Sequence, residues 1–106
     1  MDYKNSVKEI VKTLKKGYGP TKIILFGSCL SGKITPNSDI DMLIVKDTKK
    51  SYGQRWLEVG RLVRHIKKDM PFEPWILTPA EFRSEFGRNP FLQEIIEKGK
   101  VMYEKN

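Results

Sequence analysis

Two acids one residue apart open an apolar run, Ser38-Asp39-Ile40-Asp41-Met42-Leu43-Ile44-Val45. Side chains alternate sides along a strand, so Asp39 and Asp41 project from one face, while Ile40 and the run from Met42 to Val45 anchor the strand in a core. Carboxylates held side by side on a rigid strand repel unless a cation sits between them. Mg²⁺ is the cation expected, because it takes hard oxygen ligands and completes its octahedron with water and phosphate oxygens. Upstream, Leu25-Phe26-Gly27-Ser28 ends an earlier apolar strand in a turn. Gly27 lets the backbone turn sharply and lets a ligand approach closely. Ser28 is expected to cap a short helix over Cys29 to Ser31, offering its hydroxyl and free backbone N–H groups to a phosphate. Lys33, in the loop that follows, can swing toward the same phosphate. Metal on one side and phosphate on the other describe a nucleotide site. A strand start with solvated acids beside an ordinary turn is the plainer reading, and it does not account for both acids sharing a face.

The elements that must hold these residues read in order along the chain. Val7, Ile10, Val11 and Leu14 recur at helical spacing, with Lys8, Lys12, Lys15 and Lys16 on other faces. Ser6 and Glu9 fit a capping box for that helix, although Asp2 could start it a turn earlier; Gly17 and Gly19-Pro20 end it. Lys22 to Phe26 is a strand whose continuous apolar run suits burial on both faces. Pro36-Asn37 marks a turn in the loop from Gly32 to Ser38, and Asp39 to Lys46 is the second strand. Ser51 to Asp69 reads as the longest helix, with a Ser51/Gln54 capping box and an apolar stripe of Trp56, Val59, Val63 and Ile66. Arg61, Arg64, His65 and Lys68 share its outward side, either as a contact for RNA or a partner or as a solvated face. His65 is the single histidine, which leaves no second imidazole for a metal or catalytic pair.

Phe72 to Leu77 is the third strand, and Pro74 within it points to an edge position or a bulge. Thr78-Pro79-Ala80-Glu81 combines a cap, a proline at the first helical position and an acid at the third; that helix carries Phe82 and Phe86 and stops at Gly87. Asn89-Pro90 opens the last helix, where Phe91, Leu92, Ile95 and Ile96 are expected to pack inward until Gly99. Val101 to Tyr103 is a short extended tail. At helical spacing these aromatics read as core rather than as platforms for stacking bases.

Composition sets the frame. At 106 residues the chain is expected to be one domain. The single Cys29 excludes an internal disulfide and points to a reducing compartment. Residues Met1 to Ile10 mix acids and lysines without an apolar segment, and no run approaches membrane-spanning length, so a soluble cytoplasmic protein is expected. The net charge of +7 fits attraction to nucleoside triphosphates, RNA or an acidic protein, and equally a solvated lysine-rich surface.

Phe26-Gly27-Ser28, a ten-residue spacer and Asp39-Ile40-Asp41 together resemble the signature of the DNA polymerase β-like nucleotidyltransferase superfamily. The ending, Pro90-Phe91-Leu92 through Gly99-Lys100-Val101-Met102-Tyr103-Glu104, resembles that of its minimal nucleotidyltransferase (MNT) branch. The resemblance implies an α+β fold, a small mixed β-sheet flanked by helices, with residues 1–106 as a single domain. It implies Mg²⁺-dependent transfer of a nucleoside monophosphate, AMP from ATP, onto a hydroxyl of a partner protein or RNA. Two metals would be held by Asp39, Asp41 and a third acid on the next strand, where Glu73 occupies the matching place, as third ligand or proton acceptor. Gly27, Ser28 and Lys33 would hold the nucleotide. Larger members carry a further domain for the acceptor, so here the acceptor surface is expected from another protein. The branch implies a helical HEPN protein as that partner, in a toxin–antitoxin pair; a homodimer is also open. In many MNT proteins the residue after Gly-Ser and the one two further on are arginines, whereas this chain has Cys29 and Ser31, which cannot grip phosphate with a planar charged fork. That departure leaves open a catalytically weak module of the same fold that neutralises a partner by occlusion. RNA binding, resting on charge alone, is a third reading.

Overall fold

The computed structural model describes residues 3–106. Its elements in chain order are α1 (Tyr3–Gly17), β1 (Lys22–Phe26), α2 (Ser28–Ser31), β2 (Ile40–Val45), α3 (Tyr52–Val63), β3 (Phe72–Leu77), α4 (Pro79–Phe86), α5 (Pro90–Lys98) and β4 (Lys100–Glu104). The strands form one sheet in the order β3-β2-β1-β4. β1 pairs antiparallel with both β2 and β4, and β2 pairs parallel with β3. The sheet is therefore mixed, as expected. The parallel pair needs a crossover connection, and α3 supplies it.

The sheet is covered on both faces, which is why β1 and β2 are apolar without interruption. Ile23, Leu25, Ile40, Met42, Ile44 and Ile76 pack toward one core with Val7, Ile10, Val11 and Leu14 of α1 and Val59 and Val63 of α3. Ile24, Leu43 and Leu77 face the other way, against Leu92 and Ile95 of α5. Ile40 and the three consecutive residues Met42, Leu43 and Ile44 of β2 have no solvent exposure, with only Asp41 standing between them. Burying each such side chain contributes roughly 1.5–3 kcal/mol, so the strand that carries the acids is firmly fixed.

Several local signals behave as read. Ser51 and Gln54 make the capping box of α3, and Thr78 and Glu81 make that of α4, which has Pro79 at its first position. Asn89 caps α5 by accepting from the Phe91 and Leu92 amides. Pro74 falls on β3, an edge strand.

Others are corrected. Ser6 does not cap α1, which already includes Tyr3; it is buried inside the helix and donates to the Lys67 carbonyl at 3.2 Å. Asp2, the other candidate start, lies outside the described residues. α3 ends at Val63 rather than Asp69, and its inward residue one turn before Val59 is Arg55, only 6% exposed, while Trp56 is 45% exposed. The expected tail is a full strand, β4, whose Ile24↔Val101 and Ile23↔Tyr103 pairs extend the sheet beyond β1. Phe86 and Phe91 do not pack inward; Phe91 is 54% exposed.

Candidate active site

The site is built where β1 ends and β2 begins. Phe26 pairs with Asp41, and Asp41 pairs in parallel register with Glu73. Residues paired across a ladder point to the same face, with neighbouring strands roughly 4.8 Å apart. Asp41 and Glu73 therefore stand side by side, while Asp39 immediately precedes β2, which begins at Ile40 rather than Asp39, and is close enough for its charge to act on Asp41. Among the described residues no ion pair involves any of the three, in a chain with 20 lysines and arginines. Burial first, then the charges of Asp39 and Glu73, push Asp41 from its ordinary 3.8 up to about 6. The third acid expected on the next strand is thus on the same face as Asp41, and its charge acts on Asp41.

These carboxylates suit a hard divalent cation by donor type, and Asp41 is raised by burial first and by the neighbouring acids second. Among the described residues, however, no three acidic, histidine or cysteine side chains are gathered at metal-ligand spacing. The acids form a row rather than a closed cage.

Gly27 is required by that row. It has φ 78° and ψ −154°, a backbone that side-chain-bearing residues avoid, and a Cβ there would run into the Asp41 carboxylate. Gly27 is also the N-cap of α2, so Ser28 is the first residue of that helix and not its cap; no side chain caps it. The Ser28 and Cys29 amides fall in the first turn, where a helix has no acceptors of its own to offer. The loop before Asp39 is a turn, as Pro36-Asn37 suggested, closed by the Ser38 amide donating to the Thr35 carbonyl at 3.0 Å. The buried Ser38 hydroxyl accepts from the Thr35 amide at 2.8 Å.

Cys29 and Ser31 do not stand in for arginines. Cys29 is buried, with Sγ 3.5 Å from both the Asp39 carbonyl and Met70 Sδ, so it pins α2 against the start of β2. Burial, and the charges of Asp41 and then Asp39, push its thiol upward, away from thiolate. The Ser31 hydroxyl turns back toward the Ser28 carbonyl at 3.4 Å. Lys33 is exposed in the loop after α2, its amide donating to Ser31 Oγ at 3.3 Å.

Two features escaped the sequence reading. One is an aromatic wall beside the acids: Phe91 meets Phe26 edge-on at 5.9 Å and lies near-parallel to Trp75 at 6.0 Å. Helical spacing alone assigned Phe91 to the core; its place directly after the Asn89-Pro90 cap, at the exposed start of a helix, was the available signal. The other is Arg55, whose partners come from Lys50, β3 and α4; a buried arginine leaves no apolar mark in a sequence.

The family model described as "Polymerase beta, Nucleotidyltransferase" matches residues 8–106. A protein of Methanocaldococcus jannaschii named "Putative protein adenylyltransferase" is 34% identical over 110 residues, covering 97% of this chain and all of that one. Among solved structures, a toxin–antitoxin with AMP-PNP superposes with TM-score 0.65 at 23% identity, covering 93% of this chain and 73% of that chain. The MntA–HepT toxin–antitoxin superposes with TM-score 0.59 at 20% identity, covering 96% of this chain and 73% of that chain. At those identities the structures speak for the fold, and the family match and the archaeal relative speak for descent. The carboxylates beside a glycine turn are thus set in a chain that belongs to the polymerase β nucleotidyltransferase family.

Proposed function

We propose that this protein is a Mg²⁺-dependent adenylyltransferase that moves AMP from ATP onto a hydroxyl of a partner protein, and that it is the antitoxin of a pair whose toxin is a helical HEPN-type protein. The observation that carries the reading is the row Asp39, Asp41 and Glu73, unpaired among the described residues and set against Gly27. The archaeal relative's name and the toxin–antitoxin neighbours, one with an ATP analogue, support it.

Asp39 and Asp41 would hold the cation, and Glu73 would be the third ligand or the proton acceptor. When bound, the cation would neutralise charge on the triphosphate and on the developing transition state. Gly27 and the first amides of α2 lie against the phosphates, with Lys33 as a mobile counter-charge. The acceptor oxygen forms a bond to the α-phosphorus, the bond from that phosphorus to the bridging oxygen breaks, and pyrophosphate leaves. The acceptor's proton passes to the Glu73 carboxylate or to water.

Incubation with ATP, Mg²⁺ and the protein encoded by the neighbouring reading frame, followed by intact mass measurement, tests this. The wild type is expected to add the mass of one AMP to the partner, and Asp41→Asn to lower the rate by about a hundredfold or more. No mass gain with the wild type, or an equal gain with Asp41→Asn, defeats the proposal.

The positions of Cys29 and Ser31 favour a second reading, in which the domain neutralises its partner by occlusion. Cys29 is spent on packing and Ser31 on its own helix, so neither grips phosphate. Unchanged neutralisation in cells by the Asp39→Asn/Asp41→Asn double variant would select this reading over transfer.

A further inference from the structure

We propose that the cleft between α2 and α5 receives the base of the nucleotide, with the outward ring face of Phe91 as its stacking surface. This rests on the nucleotide-transfer reading above and adds to it the place and the means by which the base is held. The cleft has a volume of about 480 Å³, and its lining includes Phe26, Gly27, Leu30, Phe91, Ile95 and Lys98. That volume lies within the roughly 300–1,000 Å³ of small-molecule pockets, and an apolar lining with a few polar groups at the rim is their usual make-up.

Continuity with the acid row identifies the occupant. Gly27 lines the cleft and is also the residue whose Cβ would meet the Asp41 carboxylate. A molecule with phosphates against Gly27 can therefore lay its other end in the cleft without crossing protein. The other end of a nucleotide is a flat aromatic ring, and the cleft offers an aromatic ring at its mouth.

Phe91 is built for that contact rather than merely left exposed. It is 54% exposed, yet Phe26 holds it edge-on at 5.9 Å and Trp75 lies nearly parallel behind it, at 6.0 Å and 21°. Phe26 pairs with Asp41 on the strand, and Trp75 is two residues beyond Glu73. The ring is thus fixed from two sides by the same strands that place the acids, with its remaining face turned out. Glu94 and Lys98, 3.3 Å apart on α5, put a hydrogen-bond acceptor and a donor beside the cleft. Stacking on such a ring tolerates any base, since every base has a π face.

Calorimetric titration of the protein with ATP and with inorganic tripolyphosphate, both with Mg²⁺, tests the assignment. Phe91→Ala is expected to weaken ATP binding by about tenfold and tripolyphosphate binding by less than about twofold, and Phe91→Tyr to keep ATP binding near wild type. ATP affinity unchanged in Phe91→Ala, or ATP and tripolyphosphate weakened equally, overturns the assignment. Wild type binding tripolyphosphate as tightly as ATP removes the base pocket and leaves the phosphate and metal reading standing. Wild type binding neither removes both.

Discussion

The two ends of β3 carry two charge clusters, and they are opposites. Near its start, Glu73 stands in the row with Asp41 and Asp39, three like charges with no protein cation paired to them among the described residues. Past its end, Arg55 is enclosed: its guanidinium donates to both oxygens of Glu81 at 2.7 and 3.2 Å, to the Ile76 carbonyl at 3.3 Å and to the Lys50 carbonyl at 2.9 Å. Glu81 also accepts from the Thr78 amide at 2.9 Å. The hydrogen bonds from Arg55 and then Thr78 hold the Glu81 carboxyl below its ordinary value, whereas Asp41 is pushed up. The second cluster is complete within the chain and ties α3, β3 and α4 together. The first has no such partner among the described residues, and it is the cluster we propose as the binding site.

Breaking the completed cluster should cost the most stability. Arg55→Met removes the guanidinium from Glu81, which keeps only the Thr78 amide, and from two backbone carbonyls, and urea unfolding is expected to show a loss of about 3 kcal/mol, the low end for a buried pair because Glu81 is partly exposed. A loss under about 0.5 kcal/mol would mean the pair is surface decoration.

Gly27→Ala probes the incomplete cluster from its glycine side. It combines a positive φ with a collision between Cβ and the Asp41 carboxylate, so a loss of about 2 kcal/mol is expected, together with loss of transfer. Retained stability and transfer would show that the turn relaxes freely and does not set the acid row.

Asp41→Asn should do the reverse and stabilise the metal-free protein. A carboxyl whose folded value is raised from 3.8 to about 6 binds its proton more tightly when folded. The folded state therefore loses stability as pH rises from about 4 to about 6, and that loss is fully present above about 6. With EDTA at pH 7 the variant is expected to be more stable by on the order of 1 kcal/mol after allowance for solvent screening, with the gain fading below pH 4. Glu81 has the opposite sign: its contribution is present above its ordinary 4.5 and is lost as pH falls through its lowered folded value. Thermal melts across pH separate the two, and a flat difference between wild type and Asp41→Asn would contradict the raised carboxyl.

What was legible in the sequence was local. The Thr78-Pro79-Ala80-Glu81 cap and the Ser51/Gln54 box both depend on residues within a few positions of each other. What was not legible depends on distant partners. Ser6 looks like a cap until its hydroxyl is seen donating to Lys67, 61 residues away. The phase of α3 is ambiguous between residues 55 and 56, since both lie one turn before Val59, and the choice is made by Glu81 from another helix. The last strand has too few apolar residues to announce itself and is defined by its ladder with β1. Within the candidate site the same division holds: the sequence names Gly27, Asp41 and Glu73, which the fold brings together, while the aromatic wall of Phe26, Trp75 and Phe91 exists only once β1, β3 and α5 are assembled.

The central claim is that Asp39, Asp41 and Glu73 share a divalent cation with the phosphates of a nucleotide. Mn²⁺, as a paramagnetic stand-in for Mg²⁺, measures this directly: the electron paramagnetic resonance signal of free Mn²⁺ is followed as protein is added with a non-hydrolysable ATP analogue. The account predicts that wild type removes free Mn²⁺ beyond what the analogue alone removes, and that Asp39→Asn/Asp41→Asn does not. Equal uptake by the two proteins would contradict it.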